Sequence, residues 1–318
     1  MKTNTLQSLS DSVWTFSALM AIIEAGALPL LENGATLSSL ADKTDMPPEV
    51  LTAALKLLIA ANLVLQSGEI FKATGDLADI MAQGGASRVT GQMQSTFGQI
   101  CALIDSSRRH QLKAGWCHTD ESTLQAQGKY SEIVATHLVP LFPKMRALLQ
   151  QADARFLDVG AGVGRIALKI CELYSDVKAV ALEPADQPFR LAQANIANSP
   201  CQSQMELRKI GVQDLQDAAV FDVIWVAQGF IPDEFFLPGL AAMKRALKPG
   251  GMILTVEFSG QEEAQKNISD YAKEFVSSLY GAVRTPTKLV QLLEETGFGD
   301  VKTKKYDIYT VITAVNDF

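Results

Sequence analysis

Residues 156 to 164 read FLDVGAGVG, an apolar run that ends on an acid and passes directly into glycines at 160, 162 and 164. A short apolar run bounded by turn residues reads as a buried strand, and glycine tolerates the left-handed backbone that a sharp reversal requires. A helix running to Tyr174 follows, so strand, bare turn and helix N-terminus combine into a place where a ligand can lie against backbone N–H groups. The rest of the chain repeats the alternation: VKAVALE, a helix to Asn198, MELRKIG, FDVIWVA, a helix ending at LKPGG, and MILTVEF. Strands alternating with helices specify an α/β fold with a Rossmann-like, doubly wound, mostly parallel sheet. The segments VKTKKYD and IYTVITAV, either side of a tight reversal, close it with an antiparallel hairpin.

The 318 residues exceed what one domain of roughly 100 to 200 residues needs, and the first half has a different texture. Leu6, Leu9, Val13, Phe16, Leu19 and Ile23 step by three and four, the pattern of an amphipathic helix. TLSSLADKT gives a short helix, and another opens at Pro47 and Pro48 and runs to about Asn62, proline being suited to a first helical turn. LVLQSGEIFKAT is two β-prone runs around Ser67 and Gly68, and helix, helix and hairpin together spell a winged helix. We divide the chain into a winged-helix-like dimerisation domain (1–104), linking helices that contribute to an acceptor site (105–150) and a ligand-binding α/β domain (151–318).

Winged helices often bind DNA, but Lys43, Lys56 and Lys72 are outnumbered between Thr36 and Gly75 by Asp42, Asp45, Glu49 and Glu69. A net charge of −7 over mixed signs supplies no footprint for phosphate backbones, so nucleic acid is not an expected partner. An apolar helical surface is better explained by a twofold homodimer. Cys101, Cys117, Cys171 and Cys201 show no CxxC pair and no framework for zinc or disulfides, so no metal is expected and the thiols are read as reduced. No stretch of about 18 uncharged apolar residues occurs and the N-terminus lacks a basic leader, so neither membrane insertion nor processing is expected and a cytoplasmic protein is.

A glycine-rich turn alone is a weak signal, and Asp158 sharpens it. A carboxylate there would repel a dinucleotide's pyrophosphate, and the spacing is GxGxG rather than GxGxxG. A ligand with a sulfonium and an ammonium group would be welcomed instead. Glu183 closes the second strand, 25 residues on, where an acid accepts hydrogen bonds from ribose hydroxyls; the alternative is a solvated strand end. Asp214, after the third strand, is placed to meet an adenine amino group and Leu215 to pack on the ring, the alternative being a surface acid.

On these segments the chain resembles the class I S-adenosylmethionine-dependent methyltransferases, specifically the dimeric small-molecule O-methyltransferases with an N-terminal winged helix. The resemblance runs from SVWTFSALMAIIEAGALPLL to LLEETGFGDVKT and rests on LDVGAGVG, ALEP, GVQDL and LKPGGMILTVE. It implies S-adenosylmethionine as cofactor, S-adenosylhomocysteine as product, and Asp158, Gly160, Gly162, Glu183 and Asp214 as the binding set.

The family pattern breaks after the fourth strand, where a His-Asp-Trp-like stretch normally supplies a histidine base. Here the stretch is VAQGFIPDEFF, so Gln228 and Gly229 stand at the base position. The only histidines, His110, His118 and His137, precede the sheet domain. We take Gln228 and His137 as catalytic candidates, with Gln228 orienting the acceptor, and Tyr130, Phe142, Met145, Trp225, Phe230, Tyr271 and Phe275 as acceptor-site candidates. Positioning supplies roughly 7 to 11 kcal/mol of a barrier and a general base about 10² to 10⁴ in rate, so its loss is survivable for a nucleophile that attacks unaided. The expectation is methyl transfer to a small-molecule acceptor such as a thioether or another sulfur nucleophile. A relocated base acting on a hydroxyl, and a cofactor-binding protein repurposed for non-methylating chemistry, stay open.

Overall fold

The computed structural model describes residues 5–112, 115–257, 268–281, 283–306 and 309–317, with only the backbone described at Ser269. The chain forms two compact units, Met1–Gly98 and Gln99–Phe318. The residues read from the sequence as linking helices therefore fall within the second unit.

In the first unit, α1 (Thr5–Glu24) buries Leu19, Met20, Ile22 and Ile23 near its C-terminal end and leaves Leu6, Leu9, Val13 and Trp14 exposed. A short α2 (Leu28–Asn33), which periodicity alone did not indicate, leads into β1 (Ala35–Thr36) and α3 (Leu37–Thr44). Thr36 caps α3 by accepting from the Ser39 N–H at 3.2 Å. Next, α4 (Pro48–Ala60) contributes Leu51, Leu55 and Leu58 to the core, spaced four and three apart as an amphipathic helix requires. The hairpin of β2 (Val64–Ser67) and β3 (Ile70–Ala73) turns through Gly68, whose φ of +60° suits glycine, and β1 completes a three-stranded sheet in the order β1-β3-β2. This is the winged-helix arrangement. The long α5 (Gly75–Arg108) follows and is interrupted at Gly85, where φ is +68°.

In the second unit, α6 (Glu121–Ser131), a π-turn at Val134–Leu138 and α7 (Pro143–Leu149) precede the sheet. Strands β4 (Arg155–Val159), β5 (Lys178–Leu182), β6 (Met205–Arg208), β7 (Phe221–Val226) and β8 (Leu247–Glu257) are parallel. The antiparallel β9 (Gly299–Tyr306) and β10 (Tyr309–Val315) close the order β6-β5-β4-β7-β8-β10-β9. The turn between these last two strands lies outside the described residues. Helices α8 (Arg165–Leu173), α9 (Asp186–Ala197), α10 (Asp233–Ala246), α11 (Ile268–Tyr280) and α12 (Pro286–Glu295) complete the unit.

Alternate residues of β4 face opposite cores. Phe156 joins Val223, Trp225 and Leu254 on one face, and Leu157 and Val159 join Ile224, Phe236 and Leu240 on the other. Sheets buried on both sides read as continuous apolar runs, as FDVIWV does. No helix among the described residues is long and apolar enough to cross a membrane.

Candidate active site

A cavity of about 450 Å³ opens at the carboxyl ends of β4, β5 and β7, where the direction of strand order reverses and ligands of open α/β sheets bind. Its inner wall is the glycine turn. Gly160, Gly162 and Gly164 have φ of +73°, +56° and +77°, so each occupies the left-handed region that a side chain disfavours. The Gly160 and Ala161 N–H groups donate to the Leu182 carbonyl at 3.1 and 2.9 Å, pinning the turn to the next strand.

Glu183 lines the cavity and holds this geometry from its other side. Its Oε2 accepts from the Gly162 N–H and its Oε1 from the Ala185 N–H, both at 2.8 Å. Burial pushes its carboxyl above the ordinary range, against the opposing effect of those two donors. Lone pairs remain on both oxygens, so the carboxylate can still accept from a diol. Asp158, expected in the binding set, lies beneath the turn rather than on the cavity wall: it is 0% exposed, and its Oδ2 accepts from the Ala167 N–H in the first turn of α8 at 3.1 Å. Burial raises its pKa to about 7, with the nearby Glu183 charge adding to the rise. Its Oδ1 is buried with no partner.

Neither carboxylate makes an ion pair among the described residues. Arg165, the cation on the cavity wall, is instead held by Glu132, with Nε donating at 2.8 Å. Two uncompensated buried acids at a glycine turn favour a cationic ligand, which is the charge pattern of a sulfonium with an ammonium group. The donor set therefore fits S-adenosylmethionine.

Two of the residues expected around adenine are placed otherwise. Asp214 is exposed and accepts from Gln213 Nε2 at 2.8 Å, and Leu215 is fully buried in the core under the sheet. The wall here is Ile210, Gly211, Val212 and Gln213, and the buried Oε1 of Gln213 has no partner. Gln213 lies on the wall where Asp214 is expected, and Ile210 and Val212 lie where Leu215 is expected. The cause is the single 3₁₀ turn at Val212–Asp214, which sends consecutive side chains in different directions.

At the other end of the cavity the wall is largely apolar. Tyr130, Trp225 and Phe230 lie on it together with Trp116, Cys117 and Tyr309. The Tyr130 and Tyr309 hydroxyls are hydrogen-bonded to each other. Trp116 packs edge-on against Phe230 at 4.9 Å between centroids, against Tyr280 at 4.8 Å and against His118 at 4.6 Å. Met145 is fully buried in the core and Phe142 packs on it, so neither reaches the cavity. Tyr271 and Phe275 lie on an outer face of α11, 49% and 55% exposed.

Gln228 lines the cavity, but its amide is engaged elsewhere. Nε2 donates to the Val256 carbonyl at 3.1 Å, and Oε1 accepts from Arg284 Nη1 at 2.9 Å. Arg284, 3% exposed, also donates to the Gln228 and Ile231 carbonyls at 2.6 and 2.7 Å and to Asp233 at 2.8 Å, and lies 4.1 Å over the Phe236 ring. Both ends of the Gln228 amide thus tie the cavity wall to β8 and to Arg284.

No histidine lines the cavity. His137 lies away from it, its Nδ1 hydrogen-bonded to Thr136 Oγ1 at 2.8 Å. His110 is exposed at a positive-φ position after α5. His118 Nε2 is 3.1 Å from the Tyr280 hydroxyl, and burial lowers its pKa against the raising effect of Asp120. Burial likewise pushes the Tyr280 phenol up to about 12.

Residues 156–251 match the family model described as a methyltransferase domain. A 109-residue stretch is 30% identical to the ubiquinone/menaquinone biosynthesis C-methyltransferase UbiE of Geotalea daltonii, covering 34% of this chain and 46% of that protein. The chain thus spans about half the length of that curated relative. Over nearly its whole length the fold is similar to three solved structures. They are PhzM, a pyocyanin biosynthetic protein (TM-score 0.70, 15% identity, 98% of each chain), an O-methyltransferase family protein from Burkholderia thailandensis (0.69, 13%, 99% and 98%) and human N-acetylserotonin methyltransferase in complex with S-adenosylmethionine (0.65, 18%, 99% and 98%). Residues 156–251 are thus a methyltransferase domain by the family model, and the chain has the fold of these solved structures.

Proposed function

We propose that the protein transfers the methyl group of S-adenosylmethionine to a small-molecule acceptor that attacks without deprotonation by the enzyme, a thioether or another sulfur nucleophile being the favoured case. The carrying observation is the base position: Gln228 stands there with its amide bound to Val256 and Arg284, and no histidine lines the cavity. When bound, the cofactor supplies an electrophilic methyl on sulfur. The chain's residues bind and orient: Glu183 accepts from the ribose, Gln213 from the adenine amino group, and the apolar wall around Tyr130, Trp225 and Phe230 excludes water from the acceptor. The Geotalea daltonii relative is named for methylation at carbon, and an activated carbon also attacks unaided.

A second reading has its own observation. His118, bonded to Tyr280 and packed on the cavity residue Trp116, is the histidine placed to serve as a relocated base for a hydroxyl acceptor. The exposed Leu6, Leu9, Val13 and Trp14 of α1 support a homodimer formed through the first unit, and the four unpaired cysteines accord with a cytoplasmic location.

Methyl-labelled cofactor with thioether, thiol, amine and phenol acceptors tests the proposal by label transfer and release of S-adenosylhomocysteine. Transfer to sulfur is the expected result. Transfer confined to hydroxyls and abolished in His118→Ala would establish the second reading in its place. Light scattering should give twice the 34.4 kDa chain mass, and an active monomer would remove the dimer.

A further inference from the structure

The segment from Gly115 to Asp120 forms part of the cavity wall and is tied down at both ends. The Gly115 N–H donates to the Leu279 carbonyl of α11 at 2.8 Å, and Asp120 caps α6 by accepting from the Thr123 N–H at 2.7 Å. Between them, His118 Nε2 lies 3.1 Å from the Tyr280 hydroxyl. The helix that follows is pressed onto the glycine turn, because a β-carbon at Gly128 would collide with the Val163 side chain. The segment therefore has little slack, and Trp116 is the large side chain it presents. Trp116 packs on Leu124, Val163 and Leu191 beside the glycine turn, and edge-on against Phe230 in the turn that carries Gln228. Tyr280 and His118 back it at 4.8 and 4.6 Å between centroids. The indole thus spans from the turn that meets the cofactor to the position where a base is expected. The cavity of about 450 Å³ lies toward the lower end of the range for ligand sites, and a nucleoside carrying an amino-acid tail takes the larger share of it. The remainder is bounded by Trp116 and Phe230.

We propose that Trp116 sets the size of the acceptor, so that the cavity admits a compact nucleophile and excludes one carrying a ring system beside the reacting atom. The proposal rests on the methyl transfer read above and adds the bulk of the acceptor to it. Packed interiors give way in discrete steps rather than smoothly, so a ring held by three others is a hard limit and not a soft one.

Label transfer from methyl-labelled cofactor to ethyl methyl sulfide and to methyl naphthylmethyl sulfide tests this, since both present a sulfur between two alkyl carbons and differ in bulk. Wild-type protein should favour the compact sulfide in kcat/KM by about tenfold or more, the scale on which an apolar pocket discriminates by size. Trp116→Ala should gain about tenfold or more on the naphthylmethyl sulfide and erase that preference. Lost packing alone lowers both rates together and creates no new activity, so parallel losses, or an unchanged preference, would overturn the proposal. Trp116→Leu keeps an apolar side chain against Leu124, Val163 and Leu191 and should show the same gain where the alanine variant does not fold. Label confined to phenols in wild type would remove the sulfur reading alone, and the same comparison between phenol and a naphthylmethyl-substituted phenol then decides the role of Trp116.

A second measurement needs no turnover. Cys117 is exposed on the cavity wall next to Trp116, and Cys101 is exposed on α5. With S-adenosylhomocysteine bound, methyl naphthylmethyl sulfide should slow the alkylation of Cys117 by iodoacetamide, relative to Cys101, in Trp116→Ala and not in wild type. Peptide mass spectrometry reads both sites at once. Protection of Cys117 in wild type, or none in the variant, would contradict the size limit.

Discussion

Arg284 grips Gln228 twice, its Nη1 donating to the backbone carbonyl at 2.6 Å and to the side-chain oxygen at 2.9 Å. The residue that stands where a base is expected is therefore part of a buried network joining the loop after β7 to the segment after α11. Removing the guanidinium leaves the carbonyls of Gln228 and Ile231 without that donor, at roughly 1 to 3 kcal/mol for each buried group. Arg284→Ala should accordingly lower unfolding stability by about 2 to 6 kcal/mol in urea titration, with Gln228→Ala costing less. A stability change near zero in Arg284→Ala would show that the network does not hold the wall.

Gln213, rather than Asp214, presents an unpaired acceptor on the cavity wall. Gln213→Ala should weaken S-adenosylhomocysteine binding by about 0.5 to 1.5 kcal/mol, the usual net contribution of a neutral hydrogen bond, and Asp214→Ala by less. Glu183→Ala should cost roughly 1.5 to 3 kcal/mol because the acceptor there is charged and also fixes Gly162. Calorimetry on the three variants checks the ranking, and a larger loss at Asp214 would reverse the assignment.

Asp158 gives the site a pH dependence of definite sign. Its pKa in the fold, about 7, lies above its ordinary 3.8, so the folded state binds more protons than the unfolded chain between those values. This group's contribution therefore favours the folded state at low pH and is lost as pH rises toward 7. Asp158→Asn, neutral and of the same shape, should melt higher than wild type at pH 8 in the absence of ligand, and the gap should close at pH 5. An ammonium group binds the ionised form, so wild-type affinity for S-adenosylmethionine should rise from pH 6 to pH 8 and that of the variant should not. Scanning calorimetry and titration at the two pH values report both effects.

Much of this architecture is visible in the chain. FLDVGAGVG announces β4 and its turn because glycine spacing and apolar runs are local signals, and the Pro48 start of α4 is local as well. What was not legible depends on tertiary contacts. Gln228 owes its role to Arg284, 56 residues away. The ring cluster of Trp116, His118, Phe230 and Tyr280 draws on a loop, the turn after β7 and α11, with no shared periodicity. Tyr271 and Phe275 do sit four apart on one helix, but helical spacing does not say which way the face turns, and here it turns outward.

Single-turnover methylation at saturating cofactor and acceptor decides whether methyl transfer proceeds without a histidine base. Saturation removes the Asp158 effect on binding and leaves the chemical step. With a thioether acceptor the rate should be flat between pH 6 and 8, since a thioether has no proton to lose and no titration near 6.5 enters. His110→Ala, His118→Ala and His137→Ala should each stay within about tenfold of wild type, below the usual contribution of a general base. A loss of about a hundredfold or more in any of the three, with cofactor affinity intact, would show that a histidine is the base, and such a loss in His118→Ala would identify it as the one bonded to Tyr280.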